Sequence, residues 1–279
     1  MKAYHFQIRN IEVSVFLNES TNYEDIPFSP PHLHALPELF VILGGSAELS
    51  CDSERQTITN CEACIIPPKI FHSVVTEPSY RRLSFQFALH PVAGSHQEHD
   101  LHTLFADVLS RDKPYVSQVS PSLIEAFYAC LKQNSNLYEE RLIGLLSLIY
   151  IEIAEHLLSC PVSGSSPAYN SSQDRTNLWL AKNDPMLYAY SSGKASINDL
   201  CSSTHFTCRQ LSRIVSNEYD MNLVSLRCET RMRQAMFYLT HTQMPVSEIA
   251  ESLFFSSQES FSISFKRYFG QSPSAIRKQ

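Results

Sequence analysis

Apolar residues in the first ninety positions fall in short runs separated by turn formers. The runs are Ile11–Leu17, Leu39–Leu43, Ala47–Cys51, Cys64–Ile66, Ser73–Thr76 and Leu83–Leu89. Gly44-Gly45, Asp52-Ser53, Pro67-Pro68 and Glu77-Pro78 punctuate them. Many short strands at this spacing predict a sandwich or small barrel. Near residue 97 the apolar period lengthens to three and four, and helices are expected over Leu101–Leu109, Pro121–Leu131 and Tyr138–Leu158. In the last of these Leu142, Leu145, Leu146, Ile149, Ile153 and Leu157 form a stripe, which Ile143, Leu148 and Ile151 widen beyond one face. A helix apolar on more than one side needs more than its own domain to cover it, so residues 97–158 are read as a helical dimerisation segment. Residues 159–177 are rich in Ser, Pro and Gly and read as a linker. Helical periodicity then runs to the end of the chain.

The final third repeats itself. Ile197-x-x-Leu200-Cys201, Phe206-Thr207, Leu211, Val215, Asp220 and Arg227 recur as Val246-x-x-Ile249-Ala250, Phe255-Ser256, Phe261, Phe265, Gly270 and Arg277. Each copy reads as a short helix, a tight turn and a second helix, and two such units in tandem point to DNA. Thr207-x-x-Gln210 and Ser256-x-x-Glu259 have the form of capping boxes that start the second helices. Leu211 with Val215, and Phe261 with Phe265, make the inward faces. The outward faces then carry Thr207, Cys208, Arg209, Ser212 and Arg213 in one copy, and Ser257, Gln258, Ser262, Ile263, Lys266 and Arg267 in the other. Arg can pair with guanine, Gln with adenine, and Ser with a base or a phosphate. Val224–Thr240 reads as a single helix joining the copies, with Arg231 and Arg233 expected on a solvated face. If rigid, it would set the two recognition helices about one DNA turn, roughly 34 Å, apart.

Charge supports this division. The net charge is −6. Residues 195–279 hold nine Lys/Arg against seven Asp/Glu, a balance of +2, and residues 1–194 hold thirteen against twenty-one, a balance of −8. A weakly basic end is therefore joined to an acidic domain with another task. The longest apolar run, Leu142–Ile151, is too short to span a bilayer. The start, Met1-Lys2-Ala3-Tyr4-His5, lacks the apolar core of a signal peptide, so a cytoplasmic location without membrane contact is expected. The eight scattered cysteines read as reduced thiols, Cys61-x-x-Cys64 among them.

The C-terminal pattern resembles the DNA-binding domain of AraC/XylS-type transcription regulators. The matching residues are Glu248-Ile249-Ala250, Phe255-Ser256, Phe261-Ser262, Phe265-Lys266-Arg267, Gly270-x-Ser272-Pro273 and Arg277, with Arg227, Arg231 and Ala235-x-x-Tyr238-Leu239 in the connecting helix. Three positions depart from that pattern: Phe254 and Asp220 stand where the family has glycine, and Cys201 where it has alanine. Ile263 occupies a position that many members fill with a polar or basic residue. The first copy is therefore expected to carry more base specificity than the second.

Pro31-His32-Leu33-His34-Ala35-Leu36-Pro37-Glu38 and Cys64-Ile65-Ile66-Pro67-Pro68-Lys69-Ile70-Phe71-His72 resemble the two boxes of a cupin barrel, with Cys61-Glu62 in place of the usual Gly-Asp. The resemblance implies a sensing barrel over residues 1–96. His32, His34, Glu38 and His72 would form a ligand set for a divalent metal such as Zn, Fe, Mn or Ni, or tie the barrel mouth together by hydrogen bonds. Phe40, Ile42, Phe71, Phe85 and Phe87 are candidates to line an effector pocket, so the effector-binding set is His32, His34, Glu38, Phe40, His72 and Phe85.

The expected fold is α+β: a cupin-like barrel with a helical dimerisation segment, then an all-α tandem helix-turn-helix domain over residues 178–279. The expected function is DNA-binding transcription regulation by a homodimer, controlled by a sugar or metabolite-sized effector. No catalytic residue and no obligatory cofactor are assigned. Two other readings compete: a metal-dependent cupin enzyme, and a sensing protein that no longer binds DNA specifically.

Overall fold

The structure is a computed structural model that describes residues 2–17, 27–52, 54–77, 80–92, 100–132, 136–159 and 174–278. Its strands are β1 (Lys2–Ile8), β2 (Ile11–Leu17), β3 (Phe28–His32), β4 (Glu38–Gly44), β5 (Ser46–Cys51), β6 (Glu54–Thr59), β7 (Glu62–Ile66), β8 (His72–Thr76) and β9 (Arg81–Pro91), followed by helix α1 (Leu101–Leu109) and strand β10 (Tyr115–Gln118). Helices complete the chain: α2 (Pro121–Lys132), α3 (Tyr138–Ser159), α4 (Asp174–Ser191), α5 (Ile197–Thr204), α6 (Cys208–Tyr219), α7 (Leu223–His241), α8 (Val246–Ser252), α9 (Gln258–Phe269) and α10 (Pro273–Arg277). The described residues divide into two units. One comprises residues 1–29, 36–70 and 74–182; the other comprises residues 30–35, 71–73 and 183–279.

In the first unit a six-stranded sheet, ordered β1-β2-β9-β4-β7-β10, and a four-stranded sheet, ordered β3-β8-β5-β6, share an apolar interior. Strand β4 shows why. Its run is apolar at every position after Glu38, so it is buried on both faces. Phe40 and Ile42 point into the interior with Leu49, Ile58, Cys64 and Val74. Leu39, Val41 and Leu43 point the other way, into a larger core that includes α1, α2 and α3. Strand β9 contributes Leu83, Phe85, Phe87 and Leu89 to that second core. Phe85 and Phe87 thus do not line the same space as Phe40 and Ile42. Alternation of side chains on a strand separates them, and Phe85 leaves the effector-lining set.

Residues 97–158 are not a separate segment. Strand β10, unforeseen in the sequence, pairs antiparallel with β7 from Tyr115↔Ile65 to Gln118↔Glu62 and closes the six-stranded sheet. Helix α3 covers the outer face of that sheet. Its Tyr150 is fully buried and meets Phe6, Phe87 and Phe105 at ring separations of 5.6, 5.5 and 6.0 Å. Glu152 on α3 accepts from the backbone nitrogen and hydroxyl of Ser120 at 2.7 and 2.6 Å, fixing the chain as it enters α2. Over its 22 residues α3 is long and apolar enough to cross a membrane by length and composition, contrary to the sequence-based expectation. Leu142, Leu146, Ile149, Ile153 and Leu157 are nevertheless fully buried in the core of this unit. Leu148 and Ile151, one turn apart, remain exposed.

The expected linker at 159–177 is shortened at both ends, because Ser159 closes α3 and Asp174 opens α4. The remainder, residues 160–173, lies outside the described residues.

The helical part of the second unit is organised by the repeat. Helices α5 and α6 form one helix-turn-helix and α8 and α9 the other, with α7 between them. At 19 residues, α7 is roughly 28 Å long. Met232, Ala235 and Leu239 on α7 pack with Ile249, Ala250, Leu253, Phe261 and Phe265 in one core. The backbone repeats as faithfully as the sequence. His205 and Phe254 end the first helices with φ of 57° and 58°, and Asp220 and Gly270 end the second helices at 55° and 77°. Asp220 and Phe254, two of the departures from family glycine, are therefore held in the left-handed region that glycine fills without strain. Cys61, in the N-terminal unit, does the same at 65°.

Candidate nucleic-acid interface and histidine cluster

Helix α6 begins at a complete capping box: Thr207 accepts from the backbone of Gln210, and the Gln210 side chain accepts from the backbone of Thr207. Leu211, Val215 and Tyr219 are buried at four-residue steps. Arg209 and Arg213 are also four apart, on the opposite, exposed face. Cys208 is exposed at the helix start, and Ser212 is half-buried between the faces. Thr207 is held by its capping role.

Helix α9 starts one residue later than the sequence pattern indicates. Its cap is Ser257, whose side chain accepts from the Ser260 backbone, while Ser260 closes the box. Ser256-x-x-Glu259 is therefore not the box, because a serine at the third position competes with glutamate for the same role. Ser257 is a cap, and Glu259 is exposed in the first turn. With the caps aligned, Thr207 matches Ser257, Arg209 matches Glu259, and Arg213 matches Ile263. Neither outward arginine has a basic counterpart. Positive charge instead sits a turn further on, where Lys266 and Arg267 are exposed opposite Ser216 and Asn217 of the first copy. Gln258 is exposed, Ser262 is half-buried, and Ile263 is 61% exposed.

The arginines of the repeat that face inward act differently. Arg227 donates to the carbonyls of Tyr190, Ala195 and Gly193 at 3.2, 2.7 and 3.3 Å. Arg277, its counterpart, donates to Thr242 and Met244 at 2.9 and 2.7 Å. Each ties down the segment that enters the first helix of its module. Arg231 is not on a solvated face. Its Nε donates to the Leu253 carbonyl at 2.8 Å, and its guanidinium lies 3.6 Å from the Phe255 ring centre. Gly193 adjoins the same place, since a Cβ there would stand 2.9 Å from the Leu253 oxygen. Arg233 pairs with Glu229 at 3.0 Å and stacks on Phe71 at 4.3 Å.

Two sulfur atoms meet at the first turn of the helix-turn-helix. Cys201 on α5 and Cys208 on α6 are 2.9 Å apart at Sγ. The hydrogen bond with Cys208 holds the Cys201 thiol above its ordinary value, with desolvation adding to the effect.

Among the N-terminal candidates, the three imidazoles gather. Ring centres are 4.9 Å apart for His32 and His34, 4.3 Å for His32 and His72, and 5.4 Å for His34 and His72. Glu38, the carboxylate of the expected set, opens β4 in the other unit. His32 Nδ1 lies 2.9 Å from the Pro30 carbonyl, and His34 Nδ1 lies 3.0 Å from the Asp184 carboxylate. If each Nδ1 carries the proton, each Nε2 presents a lone pair, the orientation a metal-ligating histidine needs. Three imidazoles fit a divalent transition metal in chemistry. Phe40 is fully buried nearby in sequence, inside the barrel core. Sequence reasoning missed Asp184, which lies 150 residues beyond His34 and carries no local signal.

A family model described as a helix-turn-helix domain matches residues 200–279. The Msm operon regulatory protein of Streptococcus mutans is 24% identical over 108 residues, which are 39% of this chain and 39% of that protein, so the match spans well under half of each. Unsaturated fatty acid-bound ToxT from Vibrio cholerae is 14% identical, with 98% of this chain and 97% of that one covered at a TM-score of 0.37. The C-terminal domain of AraT, a response regulator from Geobacillus stearothermophilus, is 23% identical, covering 39% of this chain and 88% of that one at a TM-score of 0.34.

Proposed function

We propose that the chain is a cytoplasmic transcription regulator of the AraC type that binds double-stranded DNA under the control of a small effector, a reading supported by the match of residues 200–279 to a helix-turn-helix domain. The observation that carries this reading is the outward face of α6. A capped helix start, a buried ridge at Leu211 and Val215, and two exposed arginines four residues apart are what a helix laid in a major groove requires. Helix α9 presents the same scaffold with fewer base-reading groups. It contributes Gln258 and Ser262, backbone contacts from Lys266 and Arg267, and apolar contact through Ile263. Most of the affinity comes from phosphates and falls steeply with salt.

The effector site includes the histidine cluster, and a sugar or other metabolite rich in hydroxyls would satisfy such a polar set. A ligand or metal held by His34 Nε2 would leave Nδ1 on Asp184, which links the cluster to α4. The exposed Leu148 and Ile151 on α3 are the proposed dimer contact.

Fluorescence anisotropy with duplexes tiled across the region upstream of the gene tests the DNA reading. Arg209→Ala and Arg213→Ala should each weaken the best duplex by about 1–3 kcal/mol, with Arg213→Ala relaxing preference at one base. Unchanged affinity and salt slope in both variants would refute it. The rival enzyme reading rests on the same histidines. It requires stoichiometric bound metal that His34→Ala abolishes together with a turnover that needs no DNA.

A further inference from the structure

We propose that Cys201 and Cys208 are a peroxide-reactive dithiol that closes into a disulfide across the turn of the first helix-turn-helix. The two residues are seven apart, on consecutive helices, and their sulfurs are already 2.9 Å from each other. A disulfide has a sulfur separation of about 2.05 Å, so closure needs a movement of roughly 0.9 Å. The pair lies at the surface rather than in a packed core.

Accessibility separates the pair from the buried thiols. Cys51 and Cys64 are buried in the barrel, and burial pushes the Cys51 thiol up to about 12 and holds the Cys64 thiol well above its ordinary value. Cys130 is buried, and desolvation raises it as well. Such thiols are inert toward polar oxidants. Among the described cysteines, Cys208 and Cys228 are exposed, and of these two Cys208 has a second sulfur at contact distance.

The chemistry assigns the two sulfurs different roles. Cys208 is exposed and Cys201 only half so, which makes Cys208 the sulfur that peroxide reaches and the attacking one. Its thiolate attacks hydrogen peroxide; the S–O bond forms, the O–O bond breaks, and hydroxide leaves and takes up a proton as water. Cys201 then attacks the sulfenic sulfur of Cys208, giving up its proton as the S–S bond forms and the S–O bond breaks, with a second water released. Two thiols and one peroxide become one disulfide and two waters. The new bond would fix Cys208, the first residue of α6, against α5, on the face that also carries Arg209.

Trypsin offers a direct test, because cleavage after Lys194 and Arg209 places both cysteines in one peptide, residues 195–209. The full-length reduced protein is treated with one equivalent of hydrogen peroxide, alkylated, digested and weighed. The expected product is peptide 195–209 lighter by two hydrogen atoms and carrying no alkyl group, restored to two alkylated thiols by dithiothreitol. In Cys201→Ser, Cys208 should instead be captured as a sulfenic acid by a cyclic dione. Cys228, in its own short tryptic peptide, should remain a thiol and report on general over-oxidation. Two alkylated thiols in peptide 195–209 after peroxide, or sulfinic acid at Cys208 in the wild-type chain without any disulfide, would overturn the proposal. None of these readouts requires DNA binding, so failure of the dithiol and failure of the regulator reading are separately visible.

Discussion

Arg277 has the appearance of a DNA contact, being a C-terminal arginine in a helix-turn-helix domain, but its geometry assigns it to the fold. Its two guanidinium nitrogens reach the Thr242 and Met244 carbonyls at 2.9 and 2.7 Å, just ahead of α8. Lysine has a single ammonium and can satisfy one of the two carbonyls. A hydrogen bond from a charged donor contributes about 1.5–3 kcal/mol, so Arg277→Lys should cost about 2 kcal/mol. In a domain of this size that corresponds to a melting shift of roughly 10 °C. The chain has two units, and a single melting temperature for the whole is poorly defined. Hydrogen exchange resolved by peptide is therefore the better assay. Amides of α8, Val246–Ser252, should exchange about 30-fold faster in the variant, as 2 kcal/mol requires if α8 opens with its entry segment. Amides of α5 should be unchanged, because Arg227 holds that entry independently. The salt dependence of DNA binding should keep its slope. If exchange in α8 is unaltered while the slope falls by about one, Arg277 is a phosphate contact and the reasoning from its carbonyl partners is wrong.

Three further outcomes follow from particular residues. Phe254→Gly removes a half-exposed ring and releases a left-handed backbone, which costs a bulky residue about 1–2 kcal/mol, so stability measured by urea titration should stay within ~1 kcal/mol of the parent; a loss above ~2 kcal/mol would mean that the ring contact outweighs the strain. Leu148→Asp places charge on the exposed stripe of α3 and should shift sedimentation toward monomer without lowering the stability of the unit by more than ~0.5 kcal/mol; an unchanged mass distribution counts against α3 as the dimer contact. Peroxide-treated protein should bind DNA roughly threefold to tenfold more weakly, reversibly with dithiothreitol, and Cys201→Ser should resist the loss; equal loss in wild type and variant would assign it to damage elsewhere.

What could be read from the sequence, and what could not, follows the range over which each signal acts. The apolar period gave α1 at the bounds observed, and α2 and α3 to within a residue. Residues three and four apart meet on a helix whatever the rest of the chain does. Strands β1, β3, β6 and β10 escaped for the opposite reason. Strand β6, Glu54–Thr59, is exposed at every position but Ile58, and β3 is Phe-Ser-Pro-Pro-His. Strands β3 and β10 are made strands by β8 and β7, partners distant in the chain that leave no local trace, whereas β1 and β6 pair with their neighbours β2 and β5 and escaped because they carry few buried apolar positions. The same limit explains Phe85. The alternation within β9 was legible, but which of its faces meets the barrel interior depends on where α3 packs.

The site divides along the same line. The α6 face was legible because a capping box, a buried ridge and an outward face all lie within twelve residues. The α9 face was misread by one position because Ser256 and Ser257 both have the chemistry of a cap, and only the backbone decides between them. That single step changes the comparison between the modules. It aligns Arg209 with Glu259 and Arg213 with Ile263, so the two helices differ at both positions where the first can read a base, not at one. On DNA, Glu259 in the first turn would repel phosphate, leaving Lys266 and Arg267, a turn along the helix, as the basic groups of the second module. A tandem repeat that keeps its caps, its left-handed turns and its carbonyl-bound arginines while exchanging its outward charges is conserved as scaffold and diverged as reader. The first module is therefore where a change of target sequence would be engineered, and where an oxidisable pair at the helix start would have the largest effect on it.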